Sequence, residues 1–290
     1  MNGMSSVLLP TTNAIPAISD EEFQKFRDFF YRKTGIFFED NKRYFVDKRL
    51  LERIEVTGNE NFRNYFITLR FQASGEELQT LINLMTVNET YFFREEYQFQ
   101  CMVRSLLPEL IQHRRQDDSL RIWSLPSSSG EEPYSIAIYL LEHWPPVDNY
   151  SIELVASDID TKILTKARQG IYEERSLSHL PMAIRQKYFR NVGAGRYEIA
   201  EDLKESVEFT QVNLADLTQM RAYRGFDLIF CRNLLIYYDD DSRRVAAEAL
   251  FNALRPGGFI CLGHSESMSR ITSLFTVRKF PEAIVYQKLK

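Results

Sequence analysis

Beyond about residue 86 the chain repeats one pattern: a short apolar run, a turn of small or polar residues, then a helical stretch. Leu120–Leu125 leads through Ser127–Gly130 into Glu131–His143. Ile152–Ala156 leads through Ser157-Asp158 into Thr161–Arg168. Phe226–Cys231 is followed by Ser242–Leu254, which Arg255-Pro256-Gly257-Gly258 stops before Phe259–Leu262. Ala283–Gln287 reads as a fifth strand. Apolar strands joined by helices can satisfy their backbones only in a mostly parallel sheet with helices on both faces, so this part of the chain is α/β. The stretch from about 171 to 213 interrupts the alternation. It contains Arg196–Ala200 and Val207–Val212, both of strand character, and reads as an inserted small antiparallel β-subdomain.

The N-terminal third follows another grammar. Residues 1–17 are rich in Ser, Thr, Asn and Pro and read as a flexible tail. Ser19-Asp20-Glu21-Glu22 is a helix-start signal before Phe23, Phe26, Phe29 and Phe30 at helical spacing, and Gly35 ends that helix. Lys42–Val56, Phe62–Phe71 and a segment carrying Leu78, Leu81, Ile82 and Met85 follow as further helices. Residues 18–85 thus form a small helical domain, and 86–290 form the sheet domain.

Charge and cysteine usage narrow the function. The 36 basic residues against 40 acidic ones give a net charge of −4, which argues against a general nucleic-acid binder. Cys101, Cys231 and Cys261 are scattered, odd in number and contain no C-x-x-C pair. Neither a disulfide framework nor a metal site follows, and a reducing, cytoplasmic setting is expected. No signal peptide and no apolar run of about 18 residues is visible, so no membrane insertion is expected.

In an open α/β sheet the ligand lies beyond the carboxyl ends of the strands, at the point where the strand order reverses. Four tips are therefore candidates: Pro126–Glu132, Ser157–Asp160, Cys231–Tyr238 and Gly263–Glu266. The first is rich in small residues but is not G-x-G-x-x-G, so a dinucleotide pyrophosphate is not indicated. Glu131 and Glu132 at its helix start would suit a cationic ligand; equally, they would complement the helix dipole. Asp158 is placed to accept the hydroxyls of a ribose, while either Asp158 or Asp160 could instead cap the next helix. Together these tips favour a ribose-containing cofactor without a phosphate tail, a description that S-adenosylmethionine (SAM) fits. Tyr237 and Tyr238 offer aromatic faces to a sulfonium, or are core aromatics with wet hydroxyls. Arg94, in the aromatic linker Asn88–Arg94, offers a fork for a carboxylate, or an interdomain salt bridge.

Several segments together carry a family resemblance. Asn88-x-Thr90-x-Phe92-Phe93-Arg94, Gly130-Glu131-Glu132-Pro133-Tyr134-Ser135, Ala156-Ser157-Asp158-Ile159-Asp160 and Phe230-Cys231-Arg232-Asn233-x-x-Ile236-Tyr237 resemble the chemotaxis receptor glutamate methyltransferase (CheR) family, in order and from about residue 20 to the end. Gln211-Val212-Asn213-Leu214 and Arg255-Pro256-Gly257-Gly258 fit it as well. The resemblance implies a Rossmann-like class I SAM-dependent methyltransferase domain behind the helical domain. It implies transfer of a methyl group from SAM to glutamate side chains on the cytoplasmic signalling helices of methyl-accepting chemoreceptors, with S-adenosylhomocysteine as product. By family position Asn88, Thr90, Arg94, Glu131 or Glu132 (the latter preferred), Asp158, Asn213, Leu214, Arg232 and Asn233 face the cofactor. Arg94 and Tyr237 are implied in the transfer itself. The family's helical domain carries a basic docking helix, which here would use Lys42, Arg49 and Arg53; a solvated helix face is the other reading of that run. A monomer is implied. The short turn Asn191–Arg196 predicts no receptor-peptide tether on the β-subdomain. Two other readings stay open at this point: a methyltransferase acting on RNA, an amide or an amine, and a module that binds SAM or receptors without catalysis.

Overall fold

The computed structural model describes residues 16–112 and 118–289. The tail expected over residues 1–17 lies, for residues 1–15, outside the described residues. The chain divides into two compact units: residues up to Asp28 with Phe38–Leu81, and Phe29–Phe37 with Ile82 onward.

In chain order the first helices are α1 (Asp20–Thr34), α2 (Arg43–Val56), α3 (Phe62–Phe71) and α4 (Glu76–Met85). Local chemistry sets their limits. The Ser19 amide donates to Glu22 Oε2 at 2.9 Å and the Glu22 amide donates to Ser19 Oγ at 3.3 Å, a reciprocal capping box at the start of α1. Asn61 caps α3 by accepting from the Asn64 amide at 3.0 Å. Lys42 closes a separate 3-10 turn, Asp40–Lys42, rather than opening α2. In the first unit Val46, Leu50 and Ile54 of α2 and Phe62, Tyr65 and Leu69 of α3 are buried at helical spacing.

Among the described residues the second unit is built on ten strands: β1 (Leu120–Ser124), β2 (Ile152–Asp158), β3 (Ile171–Glu173), β4 (Phe189–Gly193), β5 (Arg196–Ile199), β6 (Val207–Gln211), β7 (Phe226–Cys231), β8 (Leu254–Leu262), β9 (Thr276–Lys279) and β10 (Ile284–Gln287). The helices between them are α5 (Tyr97–Cys101), α6 (Leu107–Ile111), α7 (Glu131–His143), α8 (Thr161–Gln169), α9 (Met182–Tyr188), α10 (Glu201–Glu205), α11 (Leu217–Met220) and α12 (Asp240–Ala253). Nothing in the sequence pattern anticipates α5 and α6, which are joined through a π-helical turn over Met102–Leu106.

Seven strands form one sheet in the order β6-β2-β1-β7-β8-β10-β9. The pairs β6–β2, β2–β1, β1–β7 and β7–β8 are parallel, and β10 pairs antiparallel with β8 and β9. Alternate strand residues enter two separate cores. Ile122, Leu154, Leu228, Phe230 and Phe259 pack with Ile136 and Ile138 of α7. Trp123, Val155, Ile229, Cys231 and Ile260 pack with Ala246, Ala247 and Leu250 of α12. The period-2 alternation thus meets a helix layer on each face, as the two-sided apolar strands require.

A second sheet, β3-β5-β4, is small and antiparallel. One element differs from expectation. Val207–Gln211 does not belong to this insertion; it is β6, paired in parallel with Leu154–Asp158 at the edge of the large sheet. Strand propensity alone does not choose a partner, and here the chain returns through α10 to the free edge of β2.

The candidate cofactor and transfer site

The strand order reverses between β1 and β7, so the crevice at their carboxyl ends is the expected ligand site. The loop after β1 reaches α7 through Gly130, whose φ is 96°. A Cβ there would lie 3.0 Å from both the Tyr134 ring and the Tyr172 hydroxyl, so only glycine fits this turn. Asp158, at the end of β2, faces the loop. Its Oδ2 accepts from the Ser128 amide at 2.8 Å and its Oδ1 from the Asp160 amide at 3.0 Å. Burial pushes the Asp158 carboxyl up to about 6, against these backbone hydrogen bonds. Capping falls instead to Asp160, which accepts from the Ile163 amide at the start of α8 at 2.9 Å. Asp160 also accepts from Thr86 Oγ1 at 2.8 Å and Asn88 Nδ2 at 3.0 Å. Asn88 is therefore fixed at the second tip through Asp160, a partner 72 residues away that the motif pattern did not indicate.

The two glutamates after Gly130 diverge. Glu131 accepts from Ser129 Oγ at 2.6 Å and from Ser176 Oγ at 3.2 Å, so it ties the first loop to the segment following β3. Glu132 accepts from Ser124 Oγ at 2.8 Å and from Arg232 Nη1 at 2.8 Å. Arg232, buried at the end of β7, also donates through Nη2 to the Arg94 carbonyl at 2.6 Å and lies 3.2 Å from Glu95. Both terminal nitrogens of its guanidinium are thus engaged by protein groups, while Nε is buried without a partner among the described residues. Burial opposes its charge, but Glu132 and Glu95 hold its pKa above the ordinary arginine value.

This ion cluster shapes the turn that carries Arg94. Phe93 and Glu95 have φ of 60° and 55°, the left-handed region that bulky residues avoid. The strain is held in place by Arg232 on the Arg94 carbonyl and on Glu95, and by the Phe93 amide donating to Ser135 Oγ at 3.1 Å. The Arg94 side chain remains partly exposed and donates to the Glu89 carbonyl at 2.8 Å. Thr90, in the same segment, is half-buried.

After Arg232 the chain turns at Asn233, φ 59°, into a 3-10 turn over Leu235–Tyr237. Tyr237 is 38% exposed. Burial raises its hydroxyl pKa, the Glu89 charge adds to that, and Arg94 opposes it. Tyr238 is buried in the core beside β7, as the alternative reading of the tyrosine pair required. Asn213 caps its own loop through Oδ1, which accepts from the Ala215 amide at 3.0 Å, and its Nδ2 donates to the Lys33 carbonyl at 2.6 Å. The Leu214 side chain lies in the core.

The site's remaining polar atoms fit a hydroxyl-rich and amino-acid-like cofactor. Ser127 Oγ and Ser128 Oγ are buried in the first loop without a protein partner, next to the Asp158 carboxylate. Sequence reasoning did not single them out, although both lie in the small-residue tip. It also assigned no role to Glu95 or Glu266, which hold the Arg94 turn and the Tyr237 loop.

The basic run of the helical unit behaves differently from expectation. Lys42 is exposed. Arg49 lies over the Phe45 ring, 3.4 Å from its centroid, and donates to the Phe45 carbonyl. Arg53 is turned inward: Nε and Nη2 reach Glu77 at 2.9 and 2.6 Å, and Tyr65 donates to the same carboxylate at 2.7 Å. Arg49 and Arg53 therefore do not share an exposed docking face, because the buried Glu77 carboxylate needs a cation.

A mostly parallel sheet with this switch point, an acid ending its second strand and a small-residue first loop fit a SAM-dependent methyltransferase. The chain belongs to the CheR methyltransferase family: residues 88–284 match its SAM binding domain and residues 21–86 its all-alpha domain. It is 55% identical over 271 residues to chemotaxis protein methyltransferase 2 of Vibrio cholerae, covering 93% of this chain and 94% of that one. It is 37% identical over 282 residues to the chemotaxis protein methyltransferase of Salmonella typhimurium, covering 96% and 94%. It is also 37% identical over 276 residues to chemotaxis protein methyltransferase 2 of Pseudomonas aeruginosa, covering 92% and 96%. No helix among the described residues is long and apolar enough to cross a membrane.

Proposed function

We propose that this methyltransferase esterifies glutamate side chains on the signalling helices of methyl-accepting chemoreceptors, forming γ-methyl esters that tune sensory adaptation. The observation that carries the reading is the placement of Arg94, on a turn held by Arg232, and of the half-buried Tyr237, on a loop held by Glu266, with both anchors after strand ends at the mouth of the sheet. A cationic fork and a protonated phenol there suit an incoming carboxylate and no other common nucleophile so directly.

SAM, when bound, supplies an electrophilic methyl group: the bond from carboxylate oxygen to methyl carbon forms as the carbon–sulfur bond breaks, and its electron pair leaves with sulfur. A glutamate carboxylate is already ionised at neutral pH, so this chain needs no general base. Its work is alignment and exclusion of water. Asp158 accepts the ribose hydroxyls, and Ser127, Ser128, Asn88, Thr90 and Glu132 line the cofactor's polar parts. Asn213, Leu214 and Asn233 border it through their loops. Arg94 orients a carboxylate, and a cation tightly bound to the attacking oxygen would slow a step in which charge is neutralised, so its role is positioning. The Tyr237 hydroxyl, a phenol that is protonated at neutral pH, orients the same carboxylate.

Lys42 and Lys48, both exposed, contribute the basic contacts to an acidic receptor helix. The test is methyl transfer from labelled SAM to receptor-containing membranes, followed by mild base. Release of volatile methanol supports carboxyl esters; base-stable label refutes them and revives the amine or RNA readings. Arg94→Ala that keeps full turnover would remove Arg94 from the scheme.

A further inference from the structure

Glu266 ends the fourth candidate tip, in the loop after β8, and has no role assigned by the family resemblance. Its Oε2 accepts from the Asn233 and Gly263 amides, both at 2.8 Å, and its Oε1 accepts from the Leu235 amide at 2.8 Å. No ion pair of this carboxylate occurs among the described residues, so three backbone amides form its anion nest. Two of those amides belong to the loop that begins at Asn233, in its left-handed conformation, and ends at Tyr237. The third, Gly263, is packed so closely that a Cβ would lie 2.7 Å from Asn233 Nδ2 and 3.0 Å from Glu266 Oε2. The loop ends of β7 and β8 are thereby tied through one carboxylate.

We propose that Glu266 is a positioning residue for methyl transfer: by binding the Asn233 and Leu235 amides it fixes the turn that presents the Tyr237 hydroxyl to the substrate carboxylate. The inference rests on the reading of Tyr237 given above. Glu266→Gln keeps the shape, but one oxygen becomes an NH2 group aimed at an amide donor. At least one of the three bonds is lost and two donors face each other. The loop then relaxes toward a conformation that Asn233 adopts at less cost, and Tyr237 moves with it. Misplacement of an aligning group by about 1 Å suffices for a large loss of turnover.

The experiment is a double-mutant cycle on the full chain with receptor-containing membranes, measuring kcat, KM for receptor, and Kd for S-adenosylhomocysteine by calorimetry. Glu266→Gln is expected to lower kcat about tenfold, a larger change than in KM for receptor or in Kd, which follows only the Asn233 end of the loop. In a Tyr237→Phe background the same change is expected to lower kcat less than about twofold, because the group it positions is gone. An equal loss in both backgrounds overturns the proposal and makes Glu266 a general support of the fold. Full kcat in Tyr237→Phe alone refutes the reading of Tyr237 and the proposal with it. Should Glu266→Gln fail to fold, Glu266→Asp, whose shorter reach releases the Asn233 and Leu235 amides, goes through the same cycle under the same criterion.

Discussion

Arg53→Ala separates docking from folding in the helical unit. The Glu77 side chain is only 6% exposed and that of Arg53 15%, and Glu77 takes two hydrogen bonds from the guanidinium and one from Tyr65. Removing Arg53 leaves a buried carboxylate with the tyrosine hydroxyl but no cation. Breaking one side of such a pair costs about 3–5 kcal/mol. At roughly 4 °C or more per kcal/mol for a domain of this size, the unit should melt at least about 12 °C lower. Both tryptophans, Trp123 and Trp144, lie in the second unit, so their emission does not report on the first. Far-UV circular dichroism reports on both. The expected result is a helix-loss transition that separates from the tryptophan transition and moves to lower temperature. Adding Glu77→Gln to Arg53→Met removes the stranded charge while keeping an acceptor for Tyr65, and should recover more than about half of the loss. Lys42→Glu, at an exposed position, should leave both transitions in place and lower receptor methylation. If Arg53→Ala melts with the parent and only methylation falls, the inward ion pair is not what Arg53 is for, and the reasoning fails.

Arg232→Met strands Glu95 and Glu132 together and removes the donor to the Arg94 carbonyl, so a loss of about 3–5 kcal/mol is expected by denaturant titration, with Arg232→Lys recovering only part of it; a loss below about 1 kcal/mol would mean that the cluster is not the anchor of that turn. Asp158 gives a pH dependence of known sign. Its folded-state value is raised from 3.8 to about 6, so its ionisation costs nothing below pH 3.8, costs progressively more up to about pH 6, and is fully felt above that. A rise of about two units corresponds to about 3 kcal/mol of stability lost as pH rises through this window. Unfolding titrations of the parent and of Asp158→Asn between pH 4 and 7.5 should show their stability difference shifting by that amount in favour of the variant at high pH; a difference flat with pH contradicts the assignment.

The elements legible in the sequence are those whose cause is local. The Ser19–Glu22 box, the spacing of Val46, Leu50 and Ile54, and the two-sided apolar runs of β1, β2 and β7 each depend on residues within a few positions of one another. Such runs also require helices on both faces, and that requirement makes the strand tips the candidate ligand site and Asp158, Arg232 and Tyr237 candidates there, while the roles of Arg232 and Tyr237 came from the family resemblance. The partners that decide what those residues do are distant in the chain. Arg232 meets Glu132 across 100 residues, Asn88 meets Asp160 across 72, and Asn233 meets Glu266 across 33. A charge run on α2 looked like a surface because nothing local shows that Glu77, 24 residues on, is buried and draws Arg53 inward. Val207–Gln211 carried strand propensity but not its address, since an edge strand pairs with whichever edge the fold leaves open. The sequence by itself determined the periodicities, the caps, the sheet class and the tips where chemistry must sit. Only the tertiary structure decided which charges are neutralised inside the protein and which stay exposed, because desolvation depends on what packs around a group and not on its neighbours in the chain.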